Sequence, residues 1–226
     1  MLELQPFITE QEWTADGIPV LSATVSVPQP VSMSDRISRR ISRFYQSQHR
    51  AYLKYCRREL FPKAEAEYRA ALATSAPFTP FRAKLSFQIT YQNPHFLSLY
   101  TQSCEETGAQ KWCLRHGDTW DLASGYPVPL SSFFAPHSSW KRYLLNLAEE
   151  SIEQQEQMGL SQYHEHPNRL LKRYFNPQNY YLTPDGLAFF YPMYAIAPAF
   201  EGIPTFLVPY GTLGLQSHDT RAANSD

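Results

Sequence analysis

The sequence predicts an α+β fold: antiparallel sheets with a long N-terminal helix, arranged as two intimately packed α+β subdomains. Three observations predict it. Leu85, Phe87, Ile89 and Tyr91 alternate with polar residues, the period of a strand with one face on a core. Ile37, Ile41, Phe44, Tyr45, Tyr52, Tyr55 and Leu60 instead recur at helical spacing. Two aromatic runs, Tyr180 to Thr183 and Leu187 to Pro192, flank Pro184-Asp185-Gly186 as the strands of a β-hairpin flank its turn. The first subdomain is expected to cover residues 1–125 and the second 126–226, with a disordered tail after about residue 213.

In chain order, Val20 to Val27 alternates after an Asp16-Gly17 turn, giving one or two early strands that Pro28 and Pro30 end. Ser32 with Asp35 makes a capping pair for the long helix. Pro62 should kink or break that helix before a second piece, Ala64 to Leu72. From Ala83 to Leu122 a meander of strands turns at Asn93-Pro94 and again at Gly108-Ala109. A two-residue turn at Gly108-Ala109 pairs Thr107 with Gln110 and so sets Cys104 directly opposite Cys113, at a non-hydrogen-bonded position where side chains approach most closely. A cross-strand disulfide is expected there in an oxidising compartment, and free thiols in a cytoplasmic one, with Cys56 free in either case.

Ser138 or Ser139 can cap a helix carrying Trp140, Tyr143, Leu144, Leu147 and Ile152 on one face and Glu149, Glu150, Glu153 and Glu156 on the other, closed by Gly159. A short helix, Pro167 to Tyr174, leads to the aromatic hairpin, whose three-residue loop places Gly186 in the left-handed conformation. Beyond it Pro192, Pro198, Pro204 and Pro209 exclude a helix, leaving an irregular apolar loop and a last strand, Thr205 to Val208.

The chain has 226 residues, 43% hydrophobic and 18% charged, enough to bury roughly 70 to 75% of its unfolded surface without metal or disulfides. Its 15 Tyr, 14 Phe and 18 Pro favour strands and loops, and a net charge of −1 gives no drive toward nucleic acid. No run approaches the roughly 18 apolar residues of a membrane span, and the start MLELQPFITE lacks a basic region followed by an apolar core.

The run Asn179 to Leu187, then Tyr194 to Pro198, Gly202-Ile203-Pro204 and Val208-Pro209-Tyr210, resembles the C-terminal domain of the PdaC/RsiV-like family. Thr119 to Gly125 followed by Pro129 to Phe134 resembles the family's lead into that domain. The family includes extracytoplasmic parts of bacterial anti-sigma factors that sense lysozyme, and a non-catalytic module attached to peptidoglycan deacetylases. The resemblance implies a non-enzymatic binding or sensing module whose ligand is a protein, lysozyme-like, or a cell-wall polymer. It implies an extracytoplasmic location, whereas the absence of a leader in the sequence leaves a cytoplasmic one open.

Candidate chemistry is sparse. Eight Lys or Arg and no acid lie between Arg36 and Arg58, but they spread around the helix and read as a solvated face. His164, His166, His137 and His116 lack the spacing of a zinc site, and no cofactor or metal is expected. There is neither a G-x-S-x-G elbow nor a glycine-rich phosphate loop. The alternative to a binding module is a hydrolase acting on an ester, amide or glycan through an unrecognised site. Converging titratable groups with shifted pKa values would favour that enzyme, and an exposed apolar or aromatic patch would favour binding. Tyr180, Tyr191 and Tyr194 are the candidate partner-binding residues, as an outward-facing row on the hairpin.

Overall fold

The computed structural model describes residues 2–211, and the expected tail lies outside them. A six-stranded sheet runs in the order β1-β2-β3-β4-β5-β6 and a three-stranded one in the order β7-β8-β9. The first holds β1 (Leu4–Ala15), β2 (Ile18–Pro30), β3 (Phe81–Gln92), β4 (Phe96–Thr107), β5 (Gln110–Asp121) and β6 (Tyr126–Pro127). The second holds β7 (Tyr180–Thr183), β8 (Gly186–Phe190) and β9 (Thr205–Pro209). Four α-helices are described: α1 (Arg36–Tyr55), α2 (Phe61–Thr74), α3 (Trp140–Gln157) and α4 (Pro167–Tyr174).

The chain divides into two compact units that are not contiguous segments. The first comprises the residues up to Gln88, Thr101–Leu114 and Leu122–Gly125. The second comprises Ile89–Tyr100, Arg115–Asp121 and the described residues from Tyr126 onward.

In the first unit β1 and β2 form one long hairpin, closed by Asp16 and Gly17 with φ of 52° and 80°, the doubly left-handed turn that an Asp-Gly pair serves. β2 runs through Pro28 and ends at Pro30; the two prolines pair with Pro6 and Leu4 of β1. Their missing N–H groups are tolerated because β2 meets β3 only over Leu21 to Val25. Between β2 and β3 the pairing is parallel, unlike the antiparallel sheets expected, because the helical crossover α1-α2 returns the chain to the same end.

The cap of α1 is Asp35 itself, three residues beyond Ser32: its Oδ1 accepts from the Ile37 and Ser38 amides at 2.8 Å each. Ile41, Tyr45 and His49 are buried, while Ile37, Phe44 and Tyr52 are half-buried. The break expected at Pro62 takes the form of a π turn over Cys56–Leu60, in which the Phe61 amide reaches back five residues to the Cys56 carbonyl. That widened turn admits the ring of Pro62 at the start of α2 without ending the helical path. Leu60, Ala64 and Tyr68 bury against Val20, Leu21, Phe81 and Ala83.

In the second unit β7 and β8 are covered on both faces, while β9 alternates and leaves Thr205, Leu207 and Pro209 exposed. Tyr180, Leu182, Leu187, Phe189, Phe206 and Val208 join Leu144, Ala148 and Ile152 of α3 in one core. Tyr181, Ala188 and Phe190 on the other face pack with Tyr100 and Ile203. Ser98, fully buried in β4, bonds Thr119 Oγ1 at 2.8 Å and accepts the Leu182 amide at 2.8 Å, satisfying an edge donor of β7. The hairpin loop is one residue shorter than expected: Thr183 pairs with Gly186, and Gly186 is not left-handed. Its glycine is required by close approach, since a Cβ there would lie 2.1 Å from the Val208 carbonyl oxygen of β9.

Candidate functional site

The aromatic hairpin was expected to present Tyr180, Tyr191 and Tyr194 outward. Tyr180 and Tyr191 do not face solvent: they are 3% and 1% exposed. Their hydroxyls donate to the carbonyls of Val128 and Leu171, and burial pushes both phenols above their ordinary range. Alternation along β7 and β8 gives each tyrosine a face, but helices and strands cover both faces, so there is no outward row. Arg115 completes the second covering, with its guanidinium 4.2 Å from the Tyr100 ring centre and 5.9 Å from that of Tyr181. Tyr194 alone of the three is exposed, at 44%, and it holds a left-handed φ of 68° in the loop between β8 and β9.

That loop is tied to the turn following α3. The His164 amide donates to the Ile196 carbonyl at 3.0 Å, and the Gln162 amide to Glu201 Oε1 at 2.7 Å. Ile196 and Ala197 anchor the loop in the core. The two tied segments show large apolar side chains to solvent: Met158 at 71%, Leu160 at 69% and Phe200 at 72% exposure, with Tyr194 on the same loop. Leu160 stands out for a local reason. Its amide bonds the Gln155 carbonyl and the Gly159 amide bonds that of Glu156, the Schellman closure in which the residue after the glycine ordinarily packs on the last turn. Here that turn offers glutamine in place of an apolar partner, so Leu160 has nothing to cover it. Exposed Glu153, Glu156 and Glu165 and half-exposed Glu201 accompany these segments, against Arg169 and His166. The sequence signal for this patch is two apolar residues flanking the cap glycine and an aromatic two residues after Pro198, neither of which has the period of a strand or helix face.

At the opposite end of α3 a cleft of about 620 Å³ is lined by Ser138, Ser139, Trp140, Lys141, Arg142 and Lys172, and extends to Asn146, Glu149 and Asn168. Further along α3 and α4 a second hollow of about 700 Å³ is acidic, with Glu149, Glu153 and Glu156 facing Arg169 and His166.

The shifted titratable groups of the first unit lie elsewhere. Burial holds the Glu105 carboxyl above its ordinary value, against the hydrogen bond from Tyr55 at 3.1 Å and the charge of Lys63. Burial, with Glu105 nearby, pushes Tyr55 up to about 12 and the Cys56 thiol up to about 12, and drives Tyr52 higher still. Every one of these shifts disfavours the charged form, so the Cys56 thiol and the Tyr52 and Tyr55 phenols are not activated as nucleophiles. No group of three or more His, Cys, Asp or Glu side chains within metal-holding distance occurs among the described residues. Cys104 and Cys113 form a disulfide with Cα atoms 4.2 Å apart, and Cys56 is a buried free thiol.

No curated protein sequence matches this chain significantly. Solved structures share its fold, two DUF3298-family proteins among them. A DUF3298-family member from Bacteroides fragilis NCTC 9343 superposes with a TM-score of 0.71 at 17% identity, over 98% of this chain and 96% of that one. A DUF3298-family protein from Pseudomonas aeruginosa PAO1 superposes with a TM-score of 0.60 at 17% identity, over 93% and 91%. The stretch that carries the cleft, the apolar patch and the aromatic hairpin, residues 131–211, is the part of the chain that matches the family model described as "Protein of unknown function (DUF3298)".

Proposed function

We propose that the chain is a non-enzymatic binding module that takes a basic protein on the apolar patch of its second unit. The observation that carries this reading is the joint exposure of Met158, Leu160, Phe200 and Tyr194 on two segments tied by hydrogen bonds. Large exposed apolar side chains on anchored loops bury area at little cost in chain entropy. The surrounding Glu153, Glu156, Glu165 and Glu201 favour a cationic partner and would speed its encounter. Resemblance to the PdaC/RsiV-like family makes lysozyme the first protein to test. The bridged Cys104 and Cys113 support an oxidising, extracytoplasmic setting. A wall polymer is the second ligand class carried by the same resemblance.

The test is titration calorimetry of the full chain with purified lysozyme, beside a Leu160→Ser, Phe200→Ser double variant. Binding that weakens by more than about 1 kcal/mol in the variant, and falls with added salt, is expected. Equal affinity of wild type and variant contradicts the assignment of the surface. Hydrolysis of an ester, amide or glycan, abolished by one side-chain substitution, would move the reading to the hydrolase.

A further inference from the structure

The six-stranded sheet has an open edge in the first unit. Its order makes β1 an edge strand, with β2 its one hydrogen-bonded neighbour in the sheet. The Val31 amide donates to the Glu3 carbonyl at 3.0 Å, and this sets the phase of the antiparallel ladder: Gln5, Phe7, Thr9 and Gln11 exchange bonds with β2. Leu4, Pro6, Ile8, Glu10 and Glu12 therefore aim their backbone groups away from β2, and Pro6 withholds one donor from that edge. No hydrogen bond from another described residue covers the outward amides of Ile8, Glu10 and Glu12. The outer edge of β7 is treated differently, since its Leu182 amide is taken by the buried Ser98.

The side chains along β1 say what such an edge accepts. His49 of α1 bonds Thr9 and packs on Phe7, so the odd-numbered residues face α1. Alternation puts Ile8, Glu10 and Glu12 on the other, open face, and all three are exposed. Residues 1–30 contain Glu3, Glu10, Glu12 and Asp16 and no Lys or Arg. The register sets Glu12 beside Ser22 and then Arg82, and Glu10 beside Thr24 and then Lys84. Those cations stand two strands from the acids, about 10 Å away. Neither glutamate makes an ion pair among the described residues. A second copy of β1 would bring the same acids and no cation to this edge, so the charges that oppose self-pairing favour a basic strand.

We propose that β1 takes an extended basic segment of a partner protein as an added antiparallel strand. The segment's backbone bonds the outward amides and carbonyls of Ile8, Glu10 and Glu12. Its cationic side chains lie opposite Glu10 and Glu12, and an apolar one lies opposite Ile8. The addition completes two rows across the open face, each running cation, acid, hydroxyl, cation. On the α1 side, an apolar residue of the segment covers the exposed ring of Phe7. The edge belongs to the first unit and does not depend on the apolar patch of the second, so either assignment can fail alone.

The probe is the capped peptide Lys-Thr-Lys-Val-Ile-Val-Thr, whose two lysines fall opposite Glu12 and Glu10 and whose isoleucine falls opposite Ile8 in the antiparallel register. Amide exchange of the ¹⁵N-labelled full chain is followed as peptide is added. Saturable slowing of about tenfold or more is expected at the Ile8, Glu10 and Glu12 amides, with little change at Phe7, Thr9 and Gln11, whose bonds to β2 already exist. That alternation is the signature of an added strand, which side-chain contact alone would not produce. A Glu10→Lys, Glu12→Lys variant should bind the basic peptide about tenfold or more weakly and gain Glu-Thr-Glu-Val-Ile-Val-Thr, which wild type refuses. Absence of saturable protection, protection without alternation, or equal affinity of wild type for the two peptides overturns the proposal. Protection of the same amides that grows with protein concentration alone, with a doubled mass in sedimentation, assigns the edge to a second copy and also overturns it. If the charge-swapped chain fails to fold, Ile8→Pro decides, because it removes an outward donor and no bond to β2. The basic peptide must bind that variant about tenfold or more weakly, and unchanged affinity overturns the assignment.

Discussion

Glu105 carries the most exposed consequence of burial in the first unit. Burial raises its carboxyl above the ordinary 4.5, and the Tyr55 hydrogen bond and the Lys63 charge only partly oppose that. A carboxyl whose folded pKa is raised contributes stability that is fully present below its unfolded value and is lost as pH rises through its folded one. Ionising Glu105 therefore works against the fold. Glu105→Gln, which keeps an acceptor for Tyr55, should raise the thermal midpoint at pH 7 and leave it unchanged at about pH 4, a difference that paired melting curves read directly. A variant no more stable at pH 7 would show that solvent and Lys63 already compensate the charge. Arg142 is the counterpart in the second unit. Its place in the first turn of α3, a turn without an acid, means that Arg142→Glu should stabilise by about 0.3–1 kcal/mol, because an acid replaces a cation at a helix N-terminus; denaturant unfolding checks it.

The elements themselves were largely legible. Period-two and helical spacings located α1, α3, α4 and the strands of the hairpin, because each buries one stripe or face and its apolar residues say which. Ile41 is fully buried, so Ile41→Ala should cost about 2–5 kcal/mol in denaturant unfolding, and a wild-type midpoint would refute the assigned face. What the spacing could not show was set by neighbours remote in sequence. Pro28 read as a strand end, but a strand with one partner over that stretch accepts it and continues to Pro30. Pro62 read as a break, and one π turn absorbed it. Gly186 read as a turn glycine, while the backbone of β9 is what excludes a side chain. The β4-β5 hairpin was local enough to read fully: a two-residue turn with Gly108 at φ 60° sets Cys104 across from Cys113. Closing so short a loop should stabilise by on the order of 2–3 kcal/mol, lost on reduction. Alkylation without reductant, read by mass spectrometry after expression in an oxidising compartment, should find Cys104 and Cys113 blocked; three free thiols would contradict the bridge.

At the scale of the whole molecule, the two units use their aromatics differently from what a list of residues implies. Tyr180 and Tyr191 were candidates for recognition because period two leaves half a hairpin outward, yet the β7-β8 hairpin is buried on both faces and only the edge strand β9 keeps an outward side. The most exposed large apolar side chains among the described residues lie where chain closure runs out of partners, at Met158 and Leu160 around the cap of α3 and at Phe200 in the loop tied to it. Contact there with a basic protein is the central claim. It is tested most directly by capture of purified lysozyme and of envelope extract proteins on immobilised full chain, comparing wild type with a Leu160→Asp, Phe200→Asp variant of equal melting midpoint and with an Arg39→Asp, Arg43→Asp control on α1. The account predicts a basic partner retained by wild type and by the α1 control and lost from the patch variant; retention of the same proteins by all three would contradict it.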